Sequence, residues 1–291
     1  MTILLTGGTG FLGSALLEPL SARDDVVAVH RPAVPPPASD RVKWIAQDLA
    51  GPLVAELPER IDAIVHLAQS RRYREFPDTA LDIFDLNVAA AVRLFDYARR
   101  AGARSFVLAS SGAVYAPGPE PLRETDELAP SNLYATCKLA AEQTAVHFGD
   151  FFDVAILRYF FIYGPGQREM FIPGIINRVT NGMPVSLSSD AGIRVNPVFV
   201  DDAVVATLAA LDSSGVTPYN VAGPDVISLR EMASAIGEIV GAEPEFAQGT
   251  PAPDLIADTG RMSEGLAAPN VGIREGLART ISADRDAAAS S

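Results

Sequence analysis

The stretch Thr6-Gly7-Gly8-Thr9-Gly10-Phe11-Leu12-Gly13 lies between an apolar run at residues 3–5 and a leucine-rich segment with helical spacing. A glycine turn between a strand and a helix lets the backbone approach a bound pyrophosphate. Gly7 permits the tight turn, Gly10 the close approach, and Gly13 the packing of the helix on the strand. The N–H groups at the start of the helix then hold the phosphates. We expect a dinucleotide to contact Gly7, Gly10, Phe11, Leu12 and Gly13.

Apolar runs alternate with helical patterns along the chain that follows the turn. The runs lie near residues 3–6, 25–30, 42–46, 61–67, 104–110 and 153–158. Strands joined by helices pair in parallel through right-handed crossovers, and the helices cover both faces of the sheet. Residues 79–101 have apolar side chains at helical intervals and end at Gly102, which is typical of a helix C-cap. We predict an α/β fold with a doubly wound parallel sheet of the Rossmann type.

Tyr134 and Lys138 are separated by three residues, which places both side chains on one face of a helix. An ammonium close to a phenol favours the phenolate and draws the tyrosine pKa down from ~10 toward neutrality. Such a tyrosine exchanges a proton with an alcohol or sugar oxygen while hydride moves on the adjacent carbon. The alternative is an ordinary pair of neighbours on an exposed helix surface.

Two serines stand at the end of the strand predicted near residues 104–110. In open α/β sheets, ligands sit outside the carboxyl ends of the strands, so the hydroxyl of Ser110 or Ser111 is expected to face the same crevice as the glycine turn. A serine at a strand end can also be a simple turn or cap hydroxyl. Because the tyrosine and lysine follow a short way downstream, the joint pattern indicates a catalytic site.

With these motifs in hand, the chain resembles the extended short-chain dehydrogenases/reductases, the NAD(P)-dependent epimerase/dehydratase family that acts on nucleotide sugars. Further matching segments are Gln47-Asp48-Leu49, His66-Leu67-Ala68, Asn87-Val88, Leu157-Arg158-Tyr159-Phe160, Tyr163-Gly164-Pro165-Gly166-Gln167, Phe199-Val200-Asp201-Asp202 and Tyr219-Asn220-Val221-Ala222-Gly223. The resemblance implies that Ser111, Tyr134 and Lys138 form the catalytic triad. It also implies cofactor contacts from Asp48, Leu49, Leu67, Ala68, Asn87, Tyr134, Lys138, Tyr159 and Phe160.

The resemblance also divides the chain into domains. Residues 1–165 and 197–223 are expected to form the dinucleotide-binding domain, and residues 166–196 and 224–281 a smaller substrate lobe. Helices are predicted near residues 171–179 and 229–240 in that lobe. The last segment, 282–291, consists of small and polar residues, for which we expect a disordered tail.

The choice of cofactor depends on the end of the second strand. NAD enzymes of this fold place an acid there, which binds the ribose 2′-hydroxyl and repels a 2′-phosphate. In this chain His30 occupies the position and Arg31 follows it. The sequence therefore favours NADP, with NAD possible, although Arg31 could also be a simple surface charge.

The reaction type is narrowed by the residues that follow the serines. Family members that dehydrate nucleotide sugars have an Asp-Glu pair there, whereas this chain has Gly112 and Ala113. A 4,6-dehydratase is therefore not expected. Epimerases and ketoreductases need only the triad and hydride transfer, so both remain.

The substrate is expected to be a nucleotide sugar bound by Ser111, Phe161, Met170, Phe171, Ile172 and Arg194. Two departures from the family pattern bear on this. Phe161 stands where relatives usually have Asn, and Arg194 is displaced by one residue from a common diphosphate-binding position. The alternatives are an NADPH-dependent reductase of a small or polyketide-like ketone and a non-catalytic NADP-sensing protein, against which the intact triad argues.

The composition excludes several other classes. The chain has 291 residues, 48% of them hydrophobic, and a net charge of −13, which disfavours nucleic-acid binding. It has one cysteine, Cys137, and three histidines without metal-ligand spacing, so no disulfide or metal is predicted. No apolar run reaches the ~18 residues of a membrane helix, and the first residues enter a strand without a leader. We expect a cytoplasmic enzyme, a homodimer, with a small-molecule partner.

Overall fold

The computed structural model describes residues 1–118, 120–168 and 170–289. The strands are β1 (Thr2–Thr6), β2 (Asp25–His30), β3 (Val42–Ala46), β4 (Ala63–His66), β5 (Ser105–Ser111), β6 (Asp153–Tyr159), β7 (Val185–Leu187), β8 (Arg194–Val195), β9 (Val216–Val221), β10 (Ile227–Ser228) and β11 (Phe246–Gln248). The helices are α1 (Phe11–Ser21), α2 (Ala80–Phe84), α3 (Ala90–Ala101), α4 (Leu133–Val146), α5 (Phe171–Thr180), α6 (Val200–Ala209), α7 (Leu229–Val240), α8 (Gly260–Gly265) and α9 (Ile273–Ala289). A π-helical turn, Asp85–Ala89, joins α2 to α3.

Among the described residues, seven strands form one sheet in the order β3-β2-β1-β4-β5-β6-β9. β1 pairs in parallel with β2 on one side and with β4 on the other, and the β2–β3 and β4–β5 pairs are also parallel. The side chains of Ile3, Leu4 and Leu5 are fully buried, as expected for a strand covered on both faces. The chain moves outward from β1 to β3 and then returns to β4, so the strand order reverses beside β1. The doubly wound α/β prediction is confirmed.

The chain divides into two compact units. The first consists of Met1–Ala116, Glu127–Arg158 and Val204–Tyr219. The second consists of Pro117–Asp126, Tyr159–Ala203 and the chain from Asn220 onward.

An aromatic cluster lies in the core of the first unit. The ring of Phe95 on α3 lies 4.6 Å from that of Phe106 on β5 and 5.2 Å from that of Phe148, measured between centroids. Phe152 stacks on Phe106 at 6.0 Å. Full burial of one such side chain is worth roughly 1.5–3 kcal/mol, so these contacts fix α3 and the chain after α4 on the sheet.

The helices predicted from periodicity are largely confirmed. The segment near 79–101 is helical and ends at Gly102, which adopts φ 75° as a left-handed C-cap. α7 begins with a capping box, in which Ser228 and Glu231 exchange side-chain and backbone hydrogen bonds. α5 also covers the segment predicted for it.

The prediction of a disordered tail from residue 282 is wrong for most of that segment. α9 continues through it to Ala289, and residues 290–291 lie outside the described residues. Small residues such as alanine are good helix formers, so the composition permitted a continuation of the helix that starts at Ile273.

Candidate functional site

The glycine turn connects β1 to α1 in the first unit. Gly7 has φ 76°, and a Cβ there would lie 2.7 Å from the backbone nitrogen of Ala68 after β4. A Cβ at Gly13 would lie 2.1 Å from the carbonyl oxygen of Gly7. Both positions therefore require glycine because neighbouring backbone approaches too closely for any side chain.

The start of α1 suits an anionic ligand. Gly10, the N-cap residue, has no side chain to cap the helix, and the first turn of α1 contains no acid. A Cβ built at Gly10 would have one neighbouring atom within 4 Å, the carbonyl oxygen of Gly7 at 3.1 Å. The first N–H groups and the positive end of the helix dipole can therefore meet a pyrophosphate without competition.

The serines lie at the carboxyl end of β5. The Ser111 hydroxyl caps the short 3-10 turn Gly112–Val114 by accepting a hydrogen bond from the backbone N–H of Ala113 at 3.2 Å. The Lys138 ammonium, from α4, donates to the carbonyl oxygen of Ala109 on β5 at 2.9 Å. The Lys138 side chain is thus fixed against the strand that presents Ser111.

Asn132 caps α4 by accepting a hydrogen bond from the Ala135 N–H, and this start places Tyr134 in the first turn of the helix. The Tyr134 hydroxyl donates to Oε1 of Gln69 at 3.0 Å, and its ring lies 4.9 Å from that of Tyr73. Nζ of Lys138 lies 5.8 Å from the centre of the Tyr134 ring. Sequence reasoning missed Gln69 and Tyr73, although Gln69 directly follows the Leu67-Ala68 motif.

The expected depression of the Tyr134 pKa is not found. Burial raises the pKa of Tyr134, and a hydrogen bond with the Ser111 side chain opposes this with a smaller effect. Burial also lowers the pKa of Lys138 to about 8, against the favourable charge of Glu142. Desolvation of the phenolate is the main cause, and Lys138, whose Nζ lies 5.8 Å from the ring centre, is not among the groups that shift this pKa. At neutral pH the site therefore holds a neutral phenol beside a mostly charged lysine.

Other predicted cofactor residues also lie in the first unit. Asn87, in the π-helical turn, accepts a hydrogen bond from the N–H of Ser70 at 3.2 Å, while its Nδ2 is buried without a partner among the described residues. Asp48 is exposed, and Leu49 is buried. A buried N–H donor without a protein partner is available to a polar group of a ligand, so Asn87 remains a candidate cofactor contact.

His30 and Arg31 lie at the end of β2 and just after it. Nδ1 of His30 lies 2.9 Å from the carbonyl oxygen of Val34 and 3.0 Å from that of Arg31, so the imidazole bridges the start of the loop. The Arg31 side chain is exposed. No acidic residue stands at this strand end.

The remaining predicted residues belong to the second unit. Tyr159 and Phe160 are buried, and so is Ile172. Phe161 has φ 45°, which is unusual for a bulky residue, and its ring lies 4.9 Å from that of Phe171. The Met170 side chain is 39% exposed.

Arg194, also in the second unit, is held by an acid. Its Nε donates to Asp254 at 2.8 Å, and the backbone N–H of Arg194 donates to the same carboxylate at 2.7 Å. Sequence reasoning did not identify this ion pair.

Residues 1–118, 120–168 and 170–289 contain no cluster of three or more potential metal ligands. Within the same ranges no helix combines the length and the apolar character that a membrane span needs. Cys137 is buried with a free thiol.

A mostly parallel sheet with a glycine turn after its first strand, and a Tyr/Lys helix beside a strand-end serine, defines the extended short-chain dehydrogenase/reductase class of enzyme. The model of the NAD dependent epimerase/dehydratase family matches residues 3–222. Because this match covers most of the chain, the protein belongs to that family.

Individual relatives agree with this assignment. MoeE5, solved in complex with UDP-glucuronic acid and NAD, superposes with a TM-score of 0.85 at 30% identity, covering 99% of this chain and 100% of that one. The dTDP-4-dehydro-6-deoxy-D-allose reductase of Streptomyces bikiniensis is 29% identical over 96% of this chain and 94% of its own length. The GDP-6-deoxy-D-mannose reductase of Pseudomonas aeruginosa is 30% identical over 84% of this chain and 82% of its own.

Proposed function

We propose that this enzyme epimerises or reduces a nucleotide sugar at a hydroxyl or keto group, using a nicotinamide dinucleotide. The observation that carries the proposal is the position of Tyr134 and Lys138, which extend from one face of α4 beside the strand end with Ser111. The relatives act on or bind sugars linked to UDP, dTDP and GDP, which supports the substrate class without selecting one nucleotide.

The dinucleotide, when bound, supplies the site that donates or accepts hydride. The residues of this chain that would hold it are the glycine turn, the start of α1 and the Nδ2 group of Asn87. Glycine at positions 7 and 13 keeps the backbone close enough for N–H groups to bind phosphate oxygens.

In the reductive direction, Tyr134 donates its hydroxyl proton to the carbonyl oxygen of the substrate while the carbonyl carbon gains hydride, so the C=O group becomes CH–OH. The phenolate left behind is stabilised by the Lys138 ammonium and regains a proton from solvent. The Ser111 hydroxyl donates a hydrogen bond to the same substrate oxygen. Epimerisation joins this step to its reverse, with the sugar ring turning over as the ketone.

We favour NADP as the cofactor. The support is the absence of an acid at the end of β2 and the exposed guanidinium of Arg31, which can pair with a 2′-phosphate. MoeE5 was solved with NAD, so NAD is the alternative to be compared.

A second candidate is a reductase of an uncharged ketone. Two observations favour it. The rings of Phe161 and Phe171 form an apolar pair with their centres 4.9 Å apart, and the guanidinium of Arg194 already donates to Asp254. An apolar wall and a neutralised cation suit an uncharged substrate better than a diphosphate.

The two candidates are separated by a thermal-shift screen of UDP-, dTDP- and GDP-sugars in the presence of NADP or NAD. A ligand that binds only the native state raises the free energy of unfolding, by about 2.7 kcal/mol when its concentration is a hundred times Kd. The apparent Tm rises as a result. We expect at least one nucleotide sugar to do this. If none stabilises the protein and simple ketones consume NADPH, the ketone reductase replaces the proposal.

A further inference from the structure

A buried ion pair lies directly behind the proposed catalytic residues in the first unit. The Glu142 carboxylate on α4 accepts two hydrogen bonds from Arg158 on β6, at 2.7 Å from its terminal nitrogen and 3.1 Å from Nε. Both side chains are 4% exposed. Glu142 comes one helical turn after Lys138, so the pair extends the active face of the helix into the core.

The ion pair forms hydrogen bonds with residues that precede and follow Ser111 in the chain. The hydroxyl of Ser110, the preceding residue, donates to the Glu142 carboxylate. Arg158 donates to the hydroxyl of Tyr115 at 2.6 Å and packs its guanidinium over that ring at 4.8 Å. Tyr115 follows the 3-10 turn that begins after Ser111. The strand end that carries Ser111 is therefore held before and after the catalytic position.

Stability alone does not account for this arrangement. Burying two charges costs desolvation energy, and apolar residues of similar size often stabilise a core at least as well as a buried ion pair. The network instead joins three elements, β5, α4 and β6, at fixed hydrogen-bonding geometry. Such a pair fits a positioning role.

Glu142 also contributes charge. Among the described residues, the groups that act on the Lys138 charge are Glu142 and Cys137 of α4, and Lys138 in turn acts on His66 of β4. His66 is buried, and its pKa falls to about 3, so it is neutral at physiological pH. The acids on the neighbouring helical segments, Asp82 and Asp85, are not among the groups that act on Lys138. Glu142 therefore provides the main stabilising charge for the buried ammonium.

We propose that Glu142 and Arg158 are positioning residues, which hold the Ser111 strand end in place and keep a negative charge one helical turn from Lys138. This inference rests on the proposed function only in naming Ser111 and Lys138 as catalytic. A lysine titration tests the electrostatic role without a substrate, and a kcat comparison tests the positioning role.

The sequence offers an unusually clean measurement, because Lys43 and Lys138 are its only lysines. Protein labelled with ¹³C at lysine Cε gives two NMR signals, and the exposed Lys43 serves as the reference. The Lys138 signal should titrate with a midpoint of about 8. In Glu142→Gln that midpoint should fall by about one pH unit, because the nearby negative charge is gone.

Two further variants complete the test. Tyr97→Phe is the control. It removes another buried phenol, whose hydroxyl donates to the Pro58 carbonyl at 2.7 Å away from the network, and should leave the Lys138 midpoint unchanged. Tyr115→Phe removes the hydroxyl that accepts a hydrogen bond from Arg158, and it changes neither the charges nor the number of lysines. It should keep the midpoint and lower kcat about tenfold, since small misplacements of catalytic groups are costly.

If Glu142→Gln does not fold, Glu142→Gln combined with Arg158→Met leaves no unpaired charge and takes its place. An unchanged or raised Lys138 midpoint in whichever of these two variants folds overturns the electrostatic role. An unchanged kcat in Tyr115→Phe overturns the positioning role. Failure to find any substrate would count against the proposed function but would leave the lysine titration intact.

Discussion

Two side chains and burial act on the hydroxyl proton of Tyr134. Gln69 accepts its hydrogen bond, Ser111 lowers its pKa, and burial raises that pKa by a larger amount. Lys138 stands behind the ring, 5.8 Å from its centre. The resting state is therefore a protonated phenol held by an amide, which suits proton donation to a ketone.

Tyr134→Phe tests this role. The ring and its contact with Tyr73 remain, and only the transferable proton is lost, so turnover should fall by a factor of about 10²–10⁴ while dinucleotide affinity stays nearly constant. Steady-state kinetics and fluorescence titration measure the two quantities. Tyr97→Phe is the matched control, because it removes a phenol elsewhere in the same unit. Near-normal turnover in Tyr134→Phe would remove Tyr134 from the mechanism.

Arg31→Ala tests the choice of cofactor. Charge-assisted hydrogen bonds to a 2′-phosphate are worth about 1.5–3 kcal/mol, so NADPH should bind one to two decades more weakly and NADH should change little. Arg23→Ala removes an equally exposed arginine near the opposite end of β2 and should affect neither cofactor. Tighter binding of NADH than NADPH by the unmutated protein would contradict the assignment.

At the scale of elements, the π-helical turn between α2 and α3 departs from simple helical periodicity. The apolar spacing over 79–101 predicts one continuous α-helix. Asp85–Ala89 instead forms a π-helical turn, in which the backbone hydrogen bonds span five residues rather than four. The turn contains Asn87, whose Oδ1 caps the N–H of Ser70. π-Helical turns are frequent at functional sites, and this one carries Asn87, whose Nδ2 is buried without a partner among the described residues.

Gly13→Ala tests the contact between β1 and α1. The new Cβ would meet the Gly7 carbonyl oxygen at 2.1 Å, so we expect a loss of about 1–3 kcal/mol of stability and of most dinucleotide binding. Gly174→Ala is the matched control within a helix. A Cβ at Gly174 would have no neighbouring atom within 4 Å outside its own helix, and the substitution should stabilise the protein by about 0.4–1 kcal/mol. Chemical denaturation measures both. Full cofactor binding by Gly13→Ala would show that the turn tolerates a side chain.

At the scale of the whole molecule, the proposed nucleotide-sugar substrate is an anion and the chain has a net charge of −13. Because the overall field repels anions, attraction to such a substrate would have to be local, through helix N-termini and individual arginines. Arg194 is the arginine proposed for this role, and it is ion-paired with Asp254.

Arg194→Ala should weaken a nucleotide sugar by about tenfold or more while leaving an uncharged ketone unaffected, since only the former carries a diphosphate. Asp254→Asn removes the competing carboxylate and should strengthen binding of the nucleotide sugar. Calorimetry or competition assays with each ligand give the comparison. Equal effects of Arg194→Ala on both ligands would exclude Arg194 from diphosphate recognition.

The strands β1 to β6, the glycine turn, the C-cap at Gly102 and the spacing of Tyr134 and Lys138 could be predicted from the sequence, whereas β7 to β11 were not predicted. The predicted features depend on residues that are near one another in the chain, where periodicity and backbone preferences act directly. α7 also lies where it was predicted, and its capping box is local too, because it spans four consecutive residues.

The hydrogen-bond partners and the pKa values of the site residues depend on the tertiary structure. It brings Gln69 to Tyr134 across 65 positions of sequence and Asp254 to Arg194 across 60. It also leaves the Tyr134 phenol half-buried, so that desolvation raises its pKa where the spacing from Lys138 alone predicted a lower one. Desolvation and long-range hydrogen bonding depend on which distant segments pack together, and the spacing of residues along one helix carries no information about that.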